Sequence, residues 1–189
     1  VRNKLTRRRF LQAAAASAAG TSLACSWTQS PRRFFSDAET SALEALCARI
    51  VPTDHDPGAR EAGVVNFIER QLFGPYRRHR KTYREGLAAL DHLSRALFGE
   101  MFAALSPALQ ERTLVALDRG EYPDGIWEKR ESKRFFDLVI RHTMQGFYGD
   151  PRHGGNRGAV SWRMLGVPYP PVRGRIQYDL EKSPGLKTP

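Results

Sequence analysis

Phe135–Pro168, FFDLVIRHTMQGFYGDPRHGGNRGAVSWRMLGVP, carries the two signals that decide the fold. Its first half repeats apolar side chains at helical spacing. Phe136, Val139, Ile140, Thr143, Met144 and Phe147 share one face, which Phe135, Leu138 and His142 widen. That spacing predicts a helix over Trp127–Tyr148. The second half is a loop crowded with turn formers: Gly149, Asp150, Pro151, Gly154-Gly155-Asn156 and Gly166. Glycine admits positive φ and proline fixes φ, so this loop is shaped by its backbone. Phe147, Tyr148, Trp162 and Tyr169 in or beside it predict order by packing, with these aromatics divided between core and interface.

Upstream, the same periodicity recurs between breakers. Ser36-Asp37-Ala38-Glu39 reads as a capping box, opening a helix that runs to Ile50 with Leu43, Leu46, Cys47 and Ile50 on one side. A polar turn, TDHDPGAREA at 53–62, leads to a helix over Gly63–Phe73, and Gly74-Pro75 breaks it. A longer helix over Tyr76–Phe98 begins with the basic run Arg77, Arg78, His79, Arg80, Lys81 and carries Tyr83, Leu87, Leu90 and Leu97 as a stripe. Ser106-Pro107 opens another, with serine as cap and proline in the first turn. No strand alternation, βαβ pattern or repeat is visible. The expectation is an all-α fold: one helical domain of about five helices over 26–171, a Gly/Pro/aromatic-rich C-terminal loop, and an extended tail over 172–189.

Residues 1–25, VRNKLTRRRFLQAAAASAAGTSLAC, have a basic head followed by a mild, alanine-rich apolar run. That is the form of a signal segment. Arg7, Arg8, Phe10 and Leu11 fit the twin-arginine export motif, which sends folded proteins to the periplasm. Ser22-Leu23-Ala24 offers a small-x-small cleavage site, and Cys25 offers a lipidation site. Of the net +10, five positive residues lie in the first nine, which weakens any nucleic-acid reading built on overall basicity. The run at 77–81 has no interleaved aromatics for stacking on bases, so it reads as a solvated face or as a surface for an acidic partner or anionic headgroups. Cys25 and Cys47 are the only cysteines, and no Cys-x-x-Cys-His occurs, which excludes a covalent c-type haem. Cys47 reads as a small buried hydrophobe.

Catalytic motifs are sparse. There is no Gly-x-Gly-x-x-Gly after a strand, no phosphate loop, no nucleophile elbow and no His pair at metal-ligand spacing. Asp54-His55-Asp56 is the most ligand-like trio, and reads as a solvated turn. His142, Asp150 and His153 form the best acid–base set available; a neutral His142 bonded to a loop carbonyl is the structural alternative.

Four stretches resemble the gluconate 2-dehydrogenase subunit 3 family. They are FFSDAETSALEALCARIVPTD at 34–54, GVVNFIERQL at 63–72, YREGLAALD at 83–91, and above all GFYGDPRHGGNRGAVSWRMLGVP at 146–168. The chain departs from the family pattern at His153, where tyrosine is usual, and at Val167-Pro168-Tyr169, where Pro-Gly often follows. These departures imply a branch whose partner or substrate differs from gluconate. The resemblance implies a non-catalytic small subunit without a cofactor of its own. Its partner would be a large FAD-containing dehydrogenase of the glucose–methanol–choline type, acting on a sugar, sugar acid or glycoside and passing electrons to a cytochrome c or another acceptor. The small subunit would support folding, flavin loading and twin-arginine export of that partner as a heterodimer, with only indirect contact with a membrane. The loop's interface candidates are Phe147, Tyr148, Asp150, His153, Asn156, Arg157, Trp162, Arg163 and Tyr169. Two other readings stay open: an independent periplasmic enzyme using His142, Asp150 and His153, and a helical adaptor anchored through Cys25.

Overall fold

Each helix begins and ends where the local chemistry requires it. In the computed structural model, which describes residues 33–167, they are α1 (Asp37–Ile50), α2 (Val64–Leu72), α3 (Arg80–Phe98), α4 (Pro107–Arg119), α5 (Lys129–Tyr148) and α6 (Val160–Met164). The capping box of α1 is formed: the Glu39 N–H donates to Ser36 Oγ, and the Ser36 N–H donates to Glu39 Oε2. Helices α3 and α4 stop at Gly99 and Gly120, both left-handed, a conformation that costs glycine no steric penalty. No strand occurs among the described residues. The all-α expectation therefore holds for 33–167. Arg7, Arg8, Phe10, Leu11, Cys25, Tyr169 and the tail over 172–189 lie outside the described residues.

Helix α1 is the hub, touching each of α2 to α5, and its Leu43 and Leu46 have no exposed surface. Burying such a leucine is worth roughly 1.5–3 kcal/mol. Two glycines let the other helices close around it. A β-carbon on Gly86 of α3 would stand 2.1 Å from the Phe135 ring of α5, and one on Gly146 of α5 would stand 2.9 Å from the Phe67 ring of α2.

Those contacts set the rotation of α5, which differs from the expected one. The buried face is Ser132, Phe135, Leu138, Val139, His142, Thr143, Gly146 and Phe147. Phe136 is only partly buried, and Met144 is 39% exposed. The apolar count favoured the face with the larger side chains. The packed face instead uses small and hydrogen-bonded residues, which let neighbouring helices approach. Other boundaries also moved. Tyr76–Phe98 opens with a 3₁₀ turn at Arg77–His79 before α3 begins, and Trp127 precedes α5, whose cap is the Glu128 carboxylate accepting from the Glu131 N–H. Ser106 caps α4 without a side-chain hydrogen bond.

Candidate functional site

The last turn of α5 ends in carbonyls that no helical N–H can reach. Side chains of the following segment take two of these and the carbonyl of the cap residue, Gly149. Ser161 Oγ donates to Phe147 O at 2.6 Å, Trp162 Nε1 to Tyr148 O at 2.7 Å, and Asn156 Nδ2 to Gly149 O at 2.9 Å. Asn156 Oδ1 accepts from the Ser161 N–H at 3.0 Å, so one fully buried amide joins both ends of the loop. Asn156 holds φ 43°, a left-handed conformation that asparagine tolerates better than most residues. The loop is also tied to α2 and the turn before it: the Arg157 N–H donates to Ala62 O, and Asn66 Nδ2 donates to Gly154 O. A short sixth helix, α6, lies inside what the sequence reads as loop. Three left-handed conformations in the four residues before it, at Asn156, Gly158 and Ala159, concealed it.

The loop candidates therefore divide. Phe147 is 1% exposed and Asn156 0%, so both belong to the core of the domain. Trp162 is half-buried and Tyr148 is 40% exposed. His153, Arg157 and Arg163 are on the surface, and Asp150 is half-buried with its carboxylate held by Arg152 Nε at 2.8 Å.

His142, Asp150 and His153 are not brought into one set. His142 is 4% exposed, and its Nδ1 shares a 2.9 Å hydrogen bond with the hydroxyl of buried Tyr83. Its ring stacks on Tyr76 at 4.0 Å and 10°, with His79 edge-on at 5.4 Å. The expected bond to a loop carbonyl is replaced by this one to Tyr83. Burial, then His79, Arg141 and Arg78, hold the His142 imidazole down to about 4. Burial also lifts the Tyr83 phenol well above its ordinary range. The sequence could not show this pairing, since Tyr83 and His142 are 59 residues apart.

Beside this pair, Cys47 Sγ lies 3.3 Å from Thr143 Oγ1, and burial pushes the thiol up to about 12. A buried thiol that stays protonated is a poor nucleophile. In the Cys25→Ser chain, a thiol reagent at pH 8 is expected to titrate no cysteine until denaturant is added, and then one. Stoichiometric labelling of the native chain within minutes would contradict the buried placement of Cys47.

Asp54, His55 and Asp56 form an exposed turn. The Asp56 N–H donates to Asp54 Oδ1 at 2.8 Å, and the two imidazole nitrogens of His55 face Asp54 at 3.4 Å and Asp56 at 3.3 Å. This is the solvated turn the sequence predicts, and the next helix is entered through left-handed Gly63.

The basic run at 77–81 has mixed duties. Arg80 Nε donates to Leu72 O, and its guanidinium lies over Phe34 and Phe73 at 5.5 and 5.2 Å. Lys81 pairs with Glu85. Arg77 and Arg78 have no carboxylate partner among the described residues. No helix among the described residues is long and apolar enough to cross a membrane.

The described residues form a helical domain whose signature loop closes its own longest helix. The family described as gluconate 2-dehydrogenase subunit 3 matches the chain over residues 37–168, and the chain belongs to that family. The family makes it a small auxiliary subunit of a dehydrogenase complex. No curated protein and no solved structure matches it.

Proposed function

We propose that this chain is the non-catalytic escort subunit of an exported FAD-dependent dehydrogenase of the glucose–methanol–choline type. The observation that carries the reading is the family match over 37–168, which spans nearly the whole described domain. Residues 26–171 form the subunit domain, and residues 172–189 add contact with the partner. The Arg7-Arg8 segment directs the folded complex to the periplasm by the twin-arginine route, and membrane contact is indirect. The partner carries the flavin, oxidises a sugar, sugar-acid or glycoside hydroxyl, and hands electrons to a cytochrome c or another acceptor. The exposed loop residues Tyr148, His153, Arg157 and Arg163 are the loop's contribution to the shared surface.

Co-expression tests this. With this chain present, the dehydrogenase subunit is expected in the periplasm, soluble and flavin-loaded. Without it, or with Arg7 and Arg8 both replaced by Lys, it is expected to remain cytoplasmic. Full export and flavin loading of the large subunit alone would defeat the reading. The mass of the mature N-terminal peptide distinguishes cleavage after Ala24 from a diacylglyceryl group on Cys25.

A further inference from the structure

A groove of about 660 Å³ opens between α2, the Gly74–His79 turn and the last turn of α5. Phe67, Pro75, Tyr76, Met144, Tyr148 and His153 line it. Its walls are fixed before anything binds. Phe67 is 6% exposed and meets the Tyr76 ring edge-on at 6.1 Å. Tyr76 is stacked on His142, and its hydroxyl donates to Gln145 Oε1. Tyr148 has its carbonyl held by Trp162 and its ring edge-on to Phe147 at 4.8 Å. Yet Met144 and Tyr148 remain 39% and 40% exposed, two of seven large apolar side chains left open among the described residues.

Two charges lie to one side of this groove. Arg78 Nε lies 3.1 Å from His79 Nε2, and Arg141 precedes His142 on α5. His79 in turn meets the Tyr76 ring edge-on at 6.2 Å, and Arg141 lies one helical turn before Met144, lining the adjoining cleft with His79. Neither guanidinium has a carboxylate partner among the described residues. By contrast, a second apolar groove, over Ile50, Leu114, Val115, Phe136 and Ile140, carries its own Glu111 and Asp118 beside Arg49 and Arg119.

We propose that the first groove is the seat for a projecting apolar side chain of the catalytic dehydrogenase subunit, on a segment whose carboxylates meet Arg78 and Arg141. This rests on the escort reading above and adds where the partner docks and what chemistry it presents. A rigid, concave, apolar floor loses little side-chain freedom on binding, and Met144 adapts to the shape of the incoming group. Unpaired guanidiniums beside it select carboxylates and speed encounter.

The test uses the tagged full-length chain in its native host, with a benzophenone-bearing residue replacing either Met144 or Val115. Irradiation at position 144 is expected to join the chain to the flavoprotein dehydrogenase, at a peptide with an apolar residue and nearby Asp or Glu. Position 115 is expected to give no such product. Arg78→Glu with Arg141→Glu should lower recovery of the dehydrogenase at least about tenfold, while Val115→Glu leaves it unchanged. All these sites are exposed, and an unchanged melting curve for each variant separates lost docking from lost folding. Dehydrogenase crosslinked from 115 and not from 144 overturns the seat and leaves the escort reading standing. Crosslinks from 144 only to lipid, to residues 168–189 of the same chain or to a second copy also overturn the seat. If no position captures a flavoprotein and the large subunit is exported and loaded alone, both readings fall together.

Discussion

Gly155→Ala is expected to lower the stability of the domain by about 3 kcal/mol or more, and its melting temperature by roughly 10 °C. A β-carbon at this position would stand 2.2 Å from Gly146 O and 2.9 Å from Gly146 C. Both are backbone atoms of α5, so no side-chain rotation can relieve the overlap. The helix has little room to yield, because Gly146 also packs closely against the Phe67 ring. The loop must lift instead. Lifting it stretches the Ser161 and Trp162 bonds to α5 carbonyls and the Asn156 bond to the cap residue Gly149; the Ser161–Phe147 bond is buried, and a buried polar group left without a partner costs about 1–3 kcal/mol. Gly74→Ala is the control: its β-carbon would meet only Gln71 O at 3.9 Å and requires no positive φ. Its effect is expected within about 0.5 kcal/mol. Equal denaturation midpoints for the two variants would show that the loop does not press on the helix.

The second large effect is loss of stability in mild acid. In the folded chain, the His142 imidazole is held down to about 4, against 6.5 for a free histidine. His79 is lowered as well, by burial and then by Arg78 and Arg141. Between about 4 and 6.5 the unfolded chain therefore binds more protons than the folded one, and stability must fall as pH falls. The contribution is fully present above pH 6.5, is lost progressively through this window, and has gone below about 4. With the partial wetting of the site taken into account, it amounts to on the order of 1–3 kcal/mol. Urea denaturation from pH 7.5 to 4 would show the slope. In His142→Gln the slope should shrink, because the amide keeps a polar partner for the Tyr83 hydroxyl but takes up no proton. A slope unchanged by this substitution would locate the titrating group elsewhere.

The two effects lie at different depths of legibility in the sequence. Ser36 and Glu39, Gly74-Pro75 and Pro107 are local signals, and they marked helix ends correctly because capping and turn chemistry act within a few residues. The rotation of α5 was misread because hydrophobicity rewards Phe136, Ile140 and Met144. The decisive groups were Gly86, Gly146 and Thr143, which matter by being small or by bonding across the core. The motif at 146–168 was legible as a unit, but its meaning was not. Asn156 and Trp162 look like recognition residues by type, and in the fold they serve the carbonyls at the end of α5. On the proposed docking reading, recognition falls to the exposed loop residues Tyr148, His153, Arg157 and Arg163 and to neighbours with weaker signatures: Tyr76, Met144, Arg78 and Arg141.

The side chains that finish α5 come from residues 156, 161 and 162, which leave the ribosome after the helix itself. A prematurely terminated product would hold every core leucine of α1 and α3 and still have a frayed final turn. Such fraying is expected to open that turn to limited proteolysis.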